Sequence, residues 1–184
     1  GMLGFKLAKA LLARGKLTGA DGKETALSRV TLFDTAFPPV LPQDPRLETI
    51  TGDISAPGVL AKALTPDTQS VFHLASVVSA GAEADFDLGW KVNLEGTRTL
   101  LELARKCARP PRLMFTSSVA AFGGELPEVL DDTTTPNPQT SYGAQKVCCE
   151  YLVTDYTRKG FIDGRSLRLP TIVVRPGKPN KAAS

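Results

Sequence analysis

Tyr142 and Lys146 stand four residues apart in Ser141-Tyr142-Gly143-Ala144-Gln145-Lys146. In a helix that spacing is about one turn, so both side chains leave the same face. A free phenol has a pKa of about 10, and an ammonium beside it favours the phenolate. A phenolate can take the proton of a substrate hydroxyl while the carbon that bears it gives up a hydride. The pair by itself is equally at home on an exposed helix face. What the rest of the chain places around it has to decide.

The surrounding pattern predicts strands and helices in alternation. Leu3, Leu7, Ala8, Leu11 and Leu12 recur at helical spacing, with Gly15 as a stop. Two glycines, Gly1 and Gly4, lie at the first turn of that helix, as they would in a phosphate loop, where glycine lets the backbone approach a pyrophosphate. A polar connection, 16–28, leads to a strand at 29–33 closing on Asp34. A Pro-rich loop then leads to a strand at 47–50 ending in Gly52-Asp53-Ile54, and a short helix is expected at 59–64. Strands follow at 70–74, 112–117 and 166–169, with one long helix expected from Asp85 to about Ala108 and another from Ser141 to Lys159. This order predicts one α/β domain over residues 1–184, an open parallel sheet with helices on both faces. An acidic residue at the end of the second strand of such a fold can hold adenosine ribose hydroxyls and repels a 2′-phosphate. Thr35-Ala36-Phe37 adds no basic residue after Asp34, so NAD is expected rather than NADP.

Composition narrows the field. The chain has 184 residues, a net charge of +3 and scattered basic residues, with no basic stripe for nucleic acid and no polybasic block for a membrane surface. No apolar run approaches the roughly 20 residues of a membrane helix, and no signal-like leader is visible. The three cysteines, Cys107, Cys148 and Cys149, have no C-x-x-C spacing and read as free and buried in a reducing cytoplasm. A single histidine, His73, is too few for an ordinary metal site and reads as a packed strand residue.

Taken together, the ordered pieces resemble the extended short-chain dehydrogenase/reductases. They are Gly1-x-x-Gly4, Asp34, Gly52-Asp53-Ile54, His73-Leu74-Ala75-Ser76, Asn93-Leu94-Glu95-Gly96-Thr97, Thr116-Ser117-Ser118 before Phe122-Gly123, and Tyr142-x-x-x-Lys146. From Ser141 onward the chain is similar to the D-erythronate dehydrogenases of that family, which also travel under a sugar-nucleotide epimerase label. The resemblance implies a Rossmann-type doubly wound parallel sheet lacking its first strand and the C-terminal substrate-binding part. It implies that Gly1 and Gly4 flank the pyrophosphate, Asp34 holds the adenosine ribose, and Asp53 and Ile54 meet the adenine. Leu74, Ala75 and Ser76 line the cofactor, Asn93 supports it, and Pro170 to Ile172 border the nicotinamide. Ser118 is the active-site hydroxyl. Tyr142 is the acid/base, and Lys146 binds the nicotinamide ribose while lowering the tyrosine pKa. Thr171 and Arg175 are expected near the substrate, with a structural role open for Arg175. Phe122 and Thr171 depart from residues common in the sugar-nucleotide enzymes. The implied activity is NAD-dependent oxidation of a secondary alcohol in a small sugar acid, with no metal. The alternatives are a sugar-nucleotide epimerase or dehydratase that keeps its NAD, and a non-catalytic NAD-binding regulator. A homodimer through the helices starting near Asp85 and Ser141 is also expected.

Overall fold

The computed structural model describes residues 1–56 and 58–172. Helix α1 (Met2–Arg14) opens the chain and buries Ala8 and Leu12, one turn apart. It stops where Gly15 takes a left-handed backbone, φ 70°, and its N–H closes on the Leu11 carbonyl at 2.9 Å. The polar stretch expected as a connection holds an antiparallel hairpin, β1 (Lys16–Thr18) and β2 (Glu24–Ala26). Neither strand buries a residue, so no apolar alternation announces them. Glu24 helps to join the hairpin to α1 by accepting from Arg14 at 2.7 Å and Lys16 at 2.5 Å.

β3 (Val30–Asp34) and β4 (Leu47–Thr51) pair in parallel, from Val30 opposite Leu47 to Asp34 opposite Thr51. A second parallel sheet has the order β5–β6–β7, with β5 at Ser70–His73, β6 at Arg112–Ser118 and β7 at Asp163–Leu169. Parallel neighbours need crossovers. From β5 to β6 the crossover is α2 (Ser79–Ala84), α3 (Phe86–Gly89), a π-helical turn (Trp90–Glu95) and α4 (Gly96–Ala104); from β6 to β7 it is α5 (Ser141–Arg158). The main core lies where these crossovers meet β6. It joins Leu101 and Ala104 of α4, Leu113 and Phe115 of β6, Cys149 and Val153 of α5, and Ile162. A smaller cluster, Ile54, Leu60 and Leu100, packs with Phe33 and Val71. The architecture is α/β with parallel sheets of Rossmann type.

Two helix expectations need correction. The long helix from Asp85 to Ala108 is interrupted. Asp85 caps α3 by accepting from the Leu88 N–H at 2.9 Å, the chain widens into the π-turn, and α4 ends at Ala104. The turn is held by side-chain donors to the Asn93 carbonyl, Thr97 Oγ1 at 2.6 Å and Cys149 Sγ at 3.3 Å. The short helix at 59–64 is a single 3-10 turn, Leu60–Lys62. The expectation of a parallel sheet lacking its first strand fits what is seen: β3 and β5 share no ladder, and the gap, a cleft of about 1180 Å³, is lined by the whole of both strands. The position between those two edges is where the resemblance puts the family's first strand.

Candidate active site

The start of α5 sets Tyr142. The Thr140 side chain accepts from the Gly143 N–H at 3.0 Å, and Glu83 of α2 accepts from the Ser141 N–H at 3.0 Å, so two donors of the first turn are satisfied. Gly143 has to lack a side chain, because a Cβ there would lie 2.1 Å from the Ala120 carbonyl oxygen. Its absence lets α5 close on the turn that follows β6. Tyr142 is thereby half-buried where α5 packs on the turn after β6. Burial raises the Tyr142 pKa above the ordinary phenol value, while hydrogen bonds from Ser76 and Ser118 pull the other way. Ser118 Oγ also accepts from the Ala120 N–H at 3.1 Å, which leaves its proton available to an oxygen in the site.

Lys146 departs from the expected arrangement. It is 3% exposed, and its ammonium donates to the Thr116 carbonyl at 2.8 Å. The ammonium also lies 4.7 Å from the Phe115 ring centre and 5.5 Å from that of Tyr142. Burial lowers its pKa to about 8. In this arrangement the charge is spent on a main-chain carbonyl and ring faces. The balance at Tyr142 is an upward shift set by burial, not the lowering expected from the lysine.

Ser117 and Ser118 are separated by their partners. Ser117, 3% exposed, donates to the Glu150 carboxylate, which is also gripped by Arg168 through Nε at 3.0 and 3.2 Å and Nη2 at 2.7 Å. Arg168 in turn covers the Phe122 ring at 4.8 Å. This cluster ties α5 to β6 and β7 directly behind Ser118. Glu150 and Arg168 carry no signal in the sequence beyond charge. Gly143 does carry one, since glycine in the first turn of a helix runs against propensity.

The cleft gathers most of the residues expected around a cofactor. Gly1, Gly4, Asp34, Asp53, Ile54, Leu74, Ala75, Ser76 and Ile172 all line it. Residues of the first turn of α1, Met2 to Gly4, border it as well; that turn has no side-chain cap and no acidic residue, so its N–H groups suit an anion. Burial pushes the Asp34 carboxyl up, while hydrogen bonds from the Thr35 and Ala36 main chain pull it down. The Asp34 carboxylate and the small residues Ala75 and Ser76 on one wall are compatible with a dinucleotide. Asn93 does not line the cleft but sits buried behind Ser76 and Val77. Tyr142, Ser118 and Lys146 do not line it either, and Pro170 and Thr171 are exposed. Arg175 lies outside the described residues.

His73 is a packed residue, 4% exposed, with Nε2 2.7 Å from Thr97 Oγ1. Thr97 gives its own proton to the Asn93 carbonyl, so His73 Nε2 carries the hydrogen. Burial, then the nearby Lys146 charge, lowers the His73 pKa to about 3, and the ring is neutral near pH 7. The cysteines are free but not uniformly buried: Cys149 is buried, Cys107 half-buried and Cys148 exposed.

A Rossmann-type α/β arrangement with Tyr142 and Lys146 on α5 and Ser118 at the end of β6 defines a class. The chain belongs to the NAD dependent epimerase/dehydratase family, whose profile it matches over residues 1–183. Within it, the chain is 56% identical to the D-erythronate dehydrogenase of Cupriavidus necator and 46% identical to that of Haemophilus influenzae. Each match covers 100% of this chain and 56% of the relative. Among solved structures, the nucleoside-diphosphate-sugar epimerase from Agrobacterium tumefaciens aligns with a TM-score of 0.87 at 45% identity, covering 100% of this chain and 54% of its own. The chain thus spans about half the length of the curated relatives it matches.

Proposed function

We propose that the whole protein is an NAD-dependent dehydrogenase that oxidises a secondary alcohol of a small sugar acid, with D-erythronate giving the 2-oxo acid as the leading case. The observation that carries the reading is Tyr142 with Lys146 one turn on, its ammonium 5.5 Å from the centre of the phenol ring, in a chain 56% identical to a D-erythronate dehydrogenase over 184 residues. Gly1, Gly4 and the start of α1 would hold the pyrophosphate of NAD, Asp34 its adenosine ribose, and Asp53 and Ile54 its adenine. Leu74, Ala75, Ser76 and Ile172 would flank the cofactor, with Pro170 beside the nicotinamide, Asn93 in support and Lys146 on the nicotinamide ribose. When bound, NAD supplies the hydride acceptor. Ser118 donates to the substrate oxygen and fixes it beside Tyr142. Tyr142 takes the hydroxyl proton as the carbon–hydrogen bond breaks, and later returns that proton to solvent. Lys146, already poised at a pKa of about 8, supplies positive charge behind the phenolate once it turns from Thr116 to the ribose. Thr171 and Arg175 complete the proposal as substrate contacts.

A second reading, a sugar-nucleotide epimerase that retains NAD, is favoured by the description of the Agrobacterium structure. Phe122 weighs against it, because its ring has no hydroxyl to offer a substrate and is covered by Arg168. The reading includes a cytoplasmic setting, where free thiols stay reduced. It also includes a homodimer through the two crossover regions, which expose Phe86, Trp90 and Tyr151. Full-length protein with D-erythronate and NAD should produce NADH steadily, far beyond one equivalent per subunit, and UDP-sugars should give neither NADH nor epimer. Epimerisation of a UDP-sugar without net NADH, and no activity on sugar acids, would replace this reading by the second.

A further inference from the structure

Tyr142, Lys146 and Glu150 recur on α5 at intervals of four, so they fall along one side of the helix. The second and third hold that side to β6. Lys146 donates to the Thr116 carbonyl at 2.8 Å. Glu150, 9% exposed, accepts from the hydroxyl of Ser117, the next residue of the strand. Arg168 of β7 stands directly opposite Ser117 in the parallel ladder and reaches the same carboxylate. Its Nε lies 3.0 and 3.2 Å from the two oxygens, and its Nη2 lies 2.7 Å from Oε2. One carboxylate of α5 is thus bonded to two neighbouring strands. The guanidinium also covers the Phe122 ring, whose centre lies 4.8 Å away. Phe122 closes the 3-10 turn, Val119–Ala121, that Ser118 opens.

Ser118 therefore lies between two residues governed by one ion pair. Ser117 precedes it and is bonded to Glu150, and Phe122 follows its turn and is covered by Arg168. The first turn of α5 meets the same 3-10 turn at Gly143, against the Ala120 carbonyl. We propose that Glu150 and Arg168 are positioning residues: their pair locks the turn that carries Ser118 to the helix that carries Tyr142, and so fixes the hydroxyl relative to the phenol. The chemistry sets the demand. Ser118 and Tyr142 have to reach one substrate oxygen, and a misplacement of about 1 Å can cost about 100-fold in rate. A guanidinium fork on a carboxylate leaves little play between the elements it joins, whereas a lysine is a single point charge on a flexible stem. In this role neither Glu150 nor Arg168 touches substrate or cofactor. The role rests on the reading of Ser118 and Tyr142 as the reacting pair.

The test uses full-length protein and variants that keep both charges. Ser117→Ala removes the bond from β6 and leaves the ion pair, while Arg168→Lys keeps the charge and loses the fork and the ring cover. Each should lower kcat for D-erythronate oxidation about tenfold, with Kd for NAD close to that of the parent. Ser117→Thr, which keeps a hydroxyl, should recover most of the turnover. A second readout needs no substrate: deuterium exchange of the peptide spanning residues 119–122, followed by mass spectrometry. Exchange there should quicken about tenfold in Ser117→Ala and in Arg168→Lys, while β5 exchanges as in the parent. Unchanged exchange in the turn would overturn the proposal, whatever the turnover. Faster exchange with unchanged turnover would overturn it as well, since a loosened turn would then not matter to the reaction. A parent protein inactive on D-erythronate, with faster exchange in both variants, would count against the substrate reading and leave the hold of Glu150 and Arg168 on the turn standing.

Discussion

The half of the molecule built on β5, β6, β7 and α5 and the half built on α1, β3 and β4 use the same kinds of element, packed to different degrees. β6 pairs with β7 over its whole length and buries Leu113, Phe115, Thr116 and Ser117. No residue of β3 or β4 is buried, and β3 faces the cleft along its full length. The dense half carries Tyr142, Ser118, Lys146 and the network behind them. The open half carries Asp34 and borders the start of α1. Proton transfer needs atoms held within hydrogen-bond reach, which packing secures. The openness along β3 coincides with the place the resemblance gives to the family's first strand, so the contrast in packing lies between a sheet with its neighbours present and one without.

The largest effect should come from removing a side chain at the centre of the dense half. Phe115→Ala should destabilise the fold by about 3–5 kcal/mol, and Phe33→Ala in the open half by about 1–2 kcal/mol, since a half-exposed ring leaves a smaller cavity. Denaturant melts of both variants measure this, and equal losses would break the comparison. Next, Tyr142→Phe should lower turnover of full-length protein about 100-fold or more while NAD binding stays close to that of the parent. Binding titration beside a turnover assay separates the two halves: loss of both together would mean that they are not independent.

A smaller effect should appear with pH. The buried His73 has a folded pKa of about 3, below its unfolded value of about 6.5, so the unfolded chain binds more protons between those limits. Its contribution is therefore present above about pH 6.5 and is lost as pH falls, by ~1.4 kcal/mol per pH unit until about pH 3. His73→Gln should flatten that slope in melts at pH 7 and pH 5; an unchanged slope would place the acid sensitivity elsewhere. The smallest effect belongs to the open half. Asp34→Ala should narrow the preference for NAD over NADP about tenfold, the worth of one charged hydrogen bond. Equal or tighter NADP binding by the parent protein would remove Asp34 from its place in the proposal.

The legible and illegible parts divide along sequence distance. Strands 30–34, 47–51 and 70–73 were readable because apolar residues and their breaks are local signals. The hairpin at 16–26 was not, because exposed three-residue strands carry no apolar period. The helix across Asp85 to Ala104 reads as continuous because the apolar spacing persists through it, whereas the donors to the Asn93 carbonyl come from Thr97 and, from another helix, Cys149.

The sequence by itself determined that Tyr142 and Lys146 share a helix face, that Asp34 closes β3, that Ser118 ends β6 and that the chain has the order of an α/β fold. Each of these follows from a helical or strand period acting over a few neighbours. Only the tertiary structure decided where the Lys146 ammonium goes, that Ser117 is taken by Glu150, and how Ser76, Asn93 and Gln145 connect. Those choices join residues 30 positions apart for Lys146 and Thr116, and 52 apart for Asn93 and Gln145. A buried polar atom takes whichever partner the packing brings within reach, and packing is a property of the assembled elements rather than of any one stretch of chain.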